Sequence, residues 1–186
     1  MKKATVVVLI LSGLMSVVNV WTQQGPGGRP GGGGAASGGT ATSGSPIAVA
    51  QVSEQYHSIM VGGRLEPESG IIEAAIGRDP RNRQRMAVVS KGREARTKYR
   101  VVRYLGKYTL LEIVPETGRT HQIRVHLAAI GFPVVGDATY GAVSPYLSRQ
   151  FLHASKIGFR LPSTGKYVEF SSPLPPDLEK ALKTIS

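Results

Sequence analysis

The sequence predicts a mixed α/β (α+β) domain behind a long low-complexity lead-in, and three patterns carry that prediction. Alternating apolar runs bracket a two-residue turn signal at Gly106-Lys107, the mark of a β-hairpin. Past Thr120 the apolar period lengthens to that of a helix, through Ile123, Leu127 and Ile130. Ahead of both, residues 25–48 contain almost no side chain able to build a core.

Residues 1–24 begin with Lys2-Lys3 and continue through an apolar run at 6–11 to Val17-Val18. A basic start before an apolar run is the layout of a secretory signal or a short membrane anchor. Ser12, Gly13 and Ser16 interrupt the run, and the small-x-small pattern of Ala48-Val49-Ala50 lies far beyond it. Export or anchoring, with membrane contact through this segment, stands beside a wrongly assigned gene start. Residues 25–48, rich in Gly, Ser, Ala and Pro, keep their conformational entropy and read as a disordered linker. The glycines at 31–34 lack a following Gly-Lys-Ser/Thr and a preceding strand, so they make no phosphate loop.

The folded part is expected over residues 49–186. Residues 56–61 read as a strand, turned by Gly62-Gly63, and 70–76 form another short apolar run. Residues 95–105 and 108–114 make the hairpin, with Leu110, Glu112 and Val114 on one face and Leu111 and Ile113 on the other. A helix is expected over 121–130. Thr120 is in place for its N-cap, Gly131 for its C-terminal cap, and Pro133 prevents continuation. Residues 151–159, 167–170 and 178–185 read as mixed strand and helix. The last follows Pro173-Leu174-Pro175-Pro176, with Asp177 in its first turn, where negative charge suits the dipole.

The 41 % hydrophobic content fits a soluble globular protein, and the absence of cysteine excludes disulfides, thiolate catalysis and Cys-based zinc sites. A net charge of +11 and a pI near 10.2 suit a polyanionic partner, nucleic acid or an anionic membrane surface, or simply a basic soluble protein. The cations crowd between residues 78 and 103: Arg78, Arg81, Arg83, Arg85, Lys91, Arg93, Arg96, Lys98, Arg100 and Arg103, against Asp79 and Glu94. Such a stretch binds RNA phosphates in a salt-sensitive way, or is a solvated charge-rich hairpin. Arg124, set among apolar residues, needs an acidic partner. That partner makes either a structural ion pair or a catalytic carboxylate held in place. The four histidines do not form a metal site. His121 and His126 diverge on a helix, and His57 and His153 belong to other elements.

Together these segments resemble the RluA-type RNA pseudouridine synthases. The resemblance lies in Gly118-Arg119-Thr120-His121-Gln122-Ile123-Arg124-Val125-His126-Leu127, then Gly136-Asp137-Ala138-Thr139-Tyr140-Gly141, then Leu152-His153-Ala154. Upstream, Tyr56-His57-Ser58-Ile59-Met60-Val61-Gly62-Gly63 is similar to the family's Tyr-x-Ala-x-Val-x-Gly strand. Ile76-Gly77-Arg78-Asp79-Pro80, Met86-Ala87-Val88 and Ala95-Arg96-Thr97-Lys98-Tyr99 fit the segments after it.

The resemblance implies a partial pseudouridine synthase fold with a curved, mainly antiparallel sheet and an RNA cleft. It also implies a cytoplasmic monomer that isomerises uridine in ribosomal or transfer RNA without metal or organic cofactor. Such a reaction requires the base to leave its stack. By resemblance Tyr56 packs on the flipped base and is a candidate base for the closing proton transfer, while Arg124 holds the catalytic carboxylate beside apolar Ile123. Arg119, His121, Arg78, Arg81, Arg83, Arg96 and Lys98 would contact RNA. The departure is large. The family's His-Arg-Leu-Asp-x-x-Thr-Ser-Gly motif is missing, its place taken by the linker and the apolar start, and Glu54 replaces a lysine. The expectation is a chain inactive alone, with Arg124 unpaired. A non-catalytic RNA-binding module and a membrane-tethered or exported basic protein are the alternatives.

Overall fold

The computed structural model describes residues 7–10 and 52–186; the linker region 25–48 and most of the 1–24 segment lie outside the described residues. Within that segment, where the expected signal or anchor falls mostly on residues outside those described, Val7–Ile10 is a β-strand, β1. Its Val-Val-Leu-Ile run suits the edge of a sheet as well as it suits an apolar leader. Among the described residues, no helix is long and apolar enough to cross a membrane.

The following elements are β2 (Val52–Gly62), β3 (Ser69–Glu73), β4 (Ile76–Arg78), β5 (Met86–Val88), β6 (Arg96–Leu105), β7 (Tyr108–Pro115), α1 (Gln122–Ala129), β8 (Leu152–Arg160), β9 (Tyr167–Ser171) and α2 (Pro176–Ile185). Seven strands form one sheet in the order β1-β3-β6-β7-β2-β8-β9, and β4 and β5 pair separately. Every pairing is antiparallel. The expected hairpin is β6–β7, closed as Leu105↔Tyr108 with Gly106 at φ +57°, a conformation glycine adopts without a Cβ penalty.

Strand alternation sorts the core onto two faces. Ile59 and Val61 of β2 and Leu111 and Ile113 of β7 join Ile72, Tyr99, Ile123 and Leu127, so α1 covers one face. Met60, between Ile59 and Val61, points the other way and joins Leu105, Phe151, Leu178 and Ala181 beneath α2. A third cluster of Ile76, Ala95 and Val125, with Met86, Val88 and Tyr140 against it, fastens the β4–β5 pair to α1. That small pair is an arm: its inner side is apolar and its loops carry arginines.

The start of α1 departs from expectation. The N-cap is His121, not Thr120, held in the left-handed region at φ 56° with no side-chain cap. Capping is relocated to the next side chain. Gln122 is buried, and its Oε1 accepts from the backbone N–H of Arg119 at 3.0 Å, reaching back over the helix start.

Candidate active site

The open ends of β6, β7 and β2 and the first turn of α1 enclose a cleft of about 870 Å³. Tyr56, His57, Lys98, Glu116, Arg119, His121, Ile123, Arg124 and Leu152 are among its lining residues. Tyr56, Arg124, Ile123, Arg119, His121 and Lys98, singled out from sequence, thus share one wall system. Arg78 lies on β4, with Arg81 and Arg83 in the β4–β5 loop, and none of the three lines the cleft. Arg96 belongs to β6 and turns to neighbouring strands instead.

Arg124 forms the floor and is not unpaired, which corrects the sequence expectation. Its Nε and Nη2 each donate to Asp137, to Oδ2 and Oδ1, both at 2.7 Å. The Asp137 side chain is fully buried and that of Arg124 is 15 % exposed. The pairing follows from chain geometry. Gly136, at φ +76°, brings the aspartate in where any Cβ would collide with the Arg149 carbonyl. Asp137 Oδ1 then also accepts from the backbone N–H groups of Thr139 and Tyr140, at 3.0 and 3.2 Å. Burial alone would raise the Asp137 pKa; the Arg124 fork and the two backbone donors outweigh it and hold the carboxyl below its ordinary value. A two-pronged charged pair of this kind fixes the guanidinium in angle as well as position. The two Nη1 hydrogens and the second hydrogen of Nη2 are left over for another partner.

Behind α1 a chain of hydrogen bonds fixes the floor against the sheet. Gln122 fills all four of its positions: Oε1 accepts from Thr117 Oγ1 and Arg119 N–H, while Nε2 donates to Arg96 O and Thr97 Oγ1. Thr97 Oγ1 in turn donates to His126 Nδ1, whose other nitrogen, Nε2, donates to Ala74 O. Thr97 and His126 are wholly buried. Burial pushes the His126 pKa down, with the Ala74 carbonyl opposing, so the ring is neutral and its tautomer determined. His126 is therefore a structural group and faces no RNA.

His57 lines the cleft beside Tyr56, and its Nδ1 is buried with no hydrogen-bond partner among the described residues. Burial, then the nearby His153, lowers its pKa. Tyr56 carries the Lys156 ammonium 5.3 Å from its ring centroid. Tyr140, to which the sequence reading gave no role, hydrogen-bonds His121 Nδ1 at 2.9 Å and accepts from Met86 N–H at 3.0 Å.

Three of the four cations on β6 are matched, against the sequence expectation of few acidic partners; Arg103 makes no ion pair within 4.0 Å among the described residues. Arg96 pairs with Glu73 and Glu116, Lys98 with Glu116, and Arg100 with Glu112. Arg119 Nε donates to Glu94 O. Among the described residues, none of Arg78, Arg81, Arg83, Arg85, Lys91 and Arg93 makes an ion pair within 4.0 Å. No three His, Asp or Glu side chains among them converge as a metal site.

Comparison with known proteins decides the family. The family model described as RNA pseudouridylate synthase matches residues 47–129. An uncharacterised RNA pseudouridine synthase of Chloroflexus aurantiacus is 52 % identical over 132 residues, which is 70 % of this chain and 41 % of that protein. The ribosomal large subunit pseudouridine synthase D of Nitrosomonas europaea is 44 % identical over 141 residues, 71 % of this chain and 41 % of that one. The chain belongs to the RluA-type RNA pseudouridine synthases. Human RNA pseudouridylate synthase domain containing 1 superposes with a TM-score of 0.58 at 31 % identity, covering 69 % of this chain and 58 % of that structure. The chain thus spans about two fifths of the length of the curated relatives it matches.

Asp137 and Tyr140 are the site residues that sequence reasoning missed. A signal for them was present: an aspartate after glycine, followed by two residues and a tyrosine, is a turn in which the carboxylate collects backbone N–H groups.

Proposed function

We propose that this cleft is part of the active site of an RNA pseudouridine synthase, and that it receives a uridine swung out of an RNA strand. The reaction breaks the bond between ribose and the base nitrogen and rejoins the ribose to a ring carbon. Tyr56 packs on the base and Ile123 closes the apolar floor. Arg124, with Nε and Nη2 committed to Asp137, offers Nη1 to the carboxylate that opens the reaction. The observation that carries this reading is that floor: a guanidinium locked by a buried aspartate, facing the same cleft as Tyr56 and Ile123.

Among the described residues no aspartate lines the cleft. Asp137 is spent on Arg124, Asp79 accepts from the backbone of Arg81, and Asp177 pairs with Arg149. Glu116, the carboxylate at its rim, is held by Arg96 and Lys98. Residues 1–186 by themselves therefore bind RNA but start no isomerisation. The Nitrosomonas relative is named for the large ribosomal subunit, which makes ribosomal RNA the first substrate to try. Metal and organic cofactors play no part in this reading, and the protein works in the cytoplasm as a monomer.

The test is incubation of residues 1–186 with total RNA, followed by mass-spectrometric measurement of pseudouridine and by filter binding at low salt. Binding without new pseudouridine is the expected result. Pseudouridine formed by these residues alone would overturn the half-site reading, and absence of RNA affinity would overturn the cleft assignment.

A further inference from the structure

Tyr140 is ringed by positive charge. The Cζ of Arg85 is 5.0 Å and that of Arg124 4.9 Å from its ring centroid. His121 Nδ1 is 2.9 Å from its hydroxyl, and Arg78 is near enough to act on His121 as a like charge. Asp137 is the carboxylate in this group, and Arg124 with two backbone N–H groups already fills it. Arg85 has no acidic partner, and its Nε is buried with no hydrogen-bond partner among the described residues. Buried N–H groups in folded proteins are ordinarily satisfied, and gathered like charges repel unless an anion comes between them. The position invites a ligand that brings several acceptor oxygens and negative charge.

Proton positions sharpen this. The Tyr140 hydroxyl oxygen accepts from Met86 N–H, and its own hydrogen is available to donate to His121 Nδ1 when that ring is neutral. Neutral His121 then carries its proton on Nε2 as a donor. Burial, with Arg124 and Arg78, lowers the His121 pKa against the pull of Asp137 and favours that neutral form. The left-handed backbone of His121 holds this ring at the head of α1, one turn from Arg124.

Given an RNA-binding cleft, we infer that Arg85, Arg78 and His121 form a seat for one backbone phosphate of the RNA, beside the nucleotide in the cleft. Tyr140 is the strut between that seat and Arg124. A phosphate there supplies the missing acceptor for Arg85 Nε, separates the cations, and takes the His121 Nε2–H. Because Tyr140 bonds both Met86 on the arm and His121 on the helix, filling the seat locks the arm against the floor that holds the base.

A fluorescein-labelled RNA stem-loop with a loop uridine, titrated with the whole chain between about 50 and 200 mM salt, tests the seat. Arg85→Gln should weaken binding about tenfold and flatten the slope of log affinity against log salt by about 0.7 to 0.9. Arg85→Lys keeps the charge but not the fork, so it should keep the slope and lose only a few-fold in affinity, about a third of the Gln effect. Lys180→Gln, an equal loss of charge on α2, should stay within about twofold. A neutral methylphosphonate linkage next to the loop uridine should weaken the wild type but leave Arg85→Gln unaffected. Arg85→Gln binding no worse than Lys180→Gln, or no linkage whose neutralisation is silent in Arg85→Gln, would remove the seat and leave the cleft standing. A wild-type chain that fails to bind at low salt would remove both.

Discussion

Two regions of this chain carry similar densities of arginine and lysine and meet opposite fates. On β6 and α1 most cations have a carboxylate: Arg96, Lys98 and Arg100 pair with Glu73, Glu116 and Glu112 on or beside the neighbouring strands, and Arg124 pairs with Asp137. Arg103, at the far end of β6, makes no ion pair among the described residues. On the β4–β5 arm, Arg78, Arg81, Arg83 and Arg85 make no ion pair among the described residues. The first region spends its charge on holding the fold; the second leaves it unmatched among the described residues. Local density of basic residues does not distinguish the two, but pairing register does. Glu73 lies directly opposite Arg96, and Glu112 opposite Arg100.

The comparison breaks most visibly at its buried end. Asp137→Ala leaves the Arg124 guanidinium without its counter-charge and two backbone N–H groups without an acceptor. Urea denaturation should show a loss of about 3 kcal/mol. Thr97→Val, which deprives both Gln122 Nε2 and His126 Nδ1 of a partner without changing shape, should cost about 2 kcal/mol in the same measurement. The arm should respond in the other currency. Arg81→Gln with Arg83→Gln should leave stability within about 0.5 kcal/mol, while RNA affinity at low salt falls roughly tenfold and the salt slope shrinks by about 1.4. An arm whose neutralisation unfolds the protein would show that its charge is structural after all. The smallest effect is expected from Glu116→Gln. Releasing Lys98 and leaving Arg96 to Glu73 alone should change stability by at most about 1 kcal/mol and raise RNA affinity about twofold, by making the matched region resemble the arm.

Much of the fold was legible because it is local. The β6–β7 hairpin follows from alternation around Gly106-Lys107, and α1 from the spacing of Ile123 and Leu127 before Gly131. Both are set by neighbours in sequence, and both stand within a residue or two of expectation. Thr120 was misread as a cap because a serine-like side chain at a helix start is a local cue. The actual solution depends on buried Gln122 and on a strand that arrives from elsewhere. The pairing of Val7–Ile10 with β3 was out of reach for a related reason: an apolar run shows hydrophobicity, not whether an edge strand waits for it. The floor of the site was half legible. Resemblance singled out Arg124 and gave it a carboxylate from a motif the sequence lacks; that Asp137 also pairs with it, across a turn that needs Gly136, was not read. The matched charge on β6 was out of reach, since it depends on the register of three strands.

Gln122 has a chemical lifetime as well as a structural role. Its amide donates twice through Nε2 and accepts twice through Oε1, so no rotation or flip of the group is tolerated. Hydrolysis to glutamate would preserve the shape and replace both donors with lone pairs aimed at the Arg96 carbonyl and Thr97 hydroxyl. At 4 % exposure the amide is largely shielded from water while the protein is folded. Ageing of this protein should therefore proceed through its unfolded moments, when the amide that sets the start of α1 is open to attack.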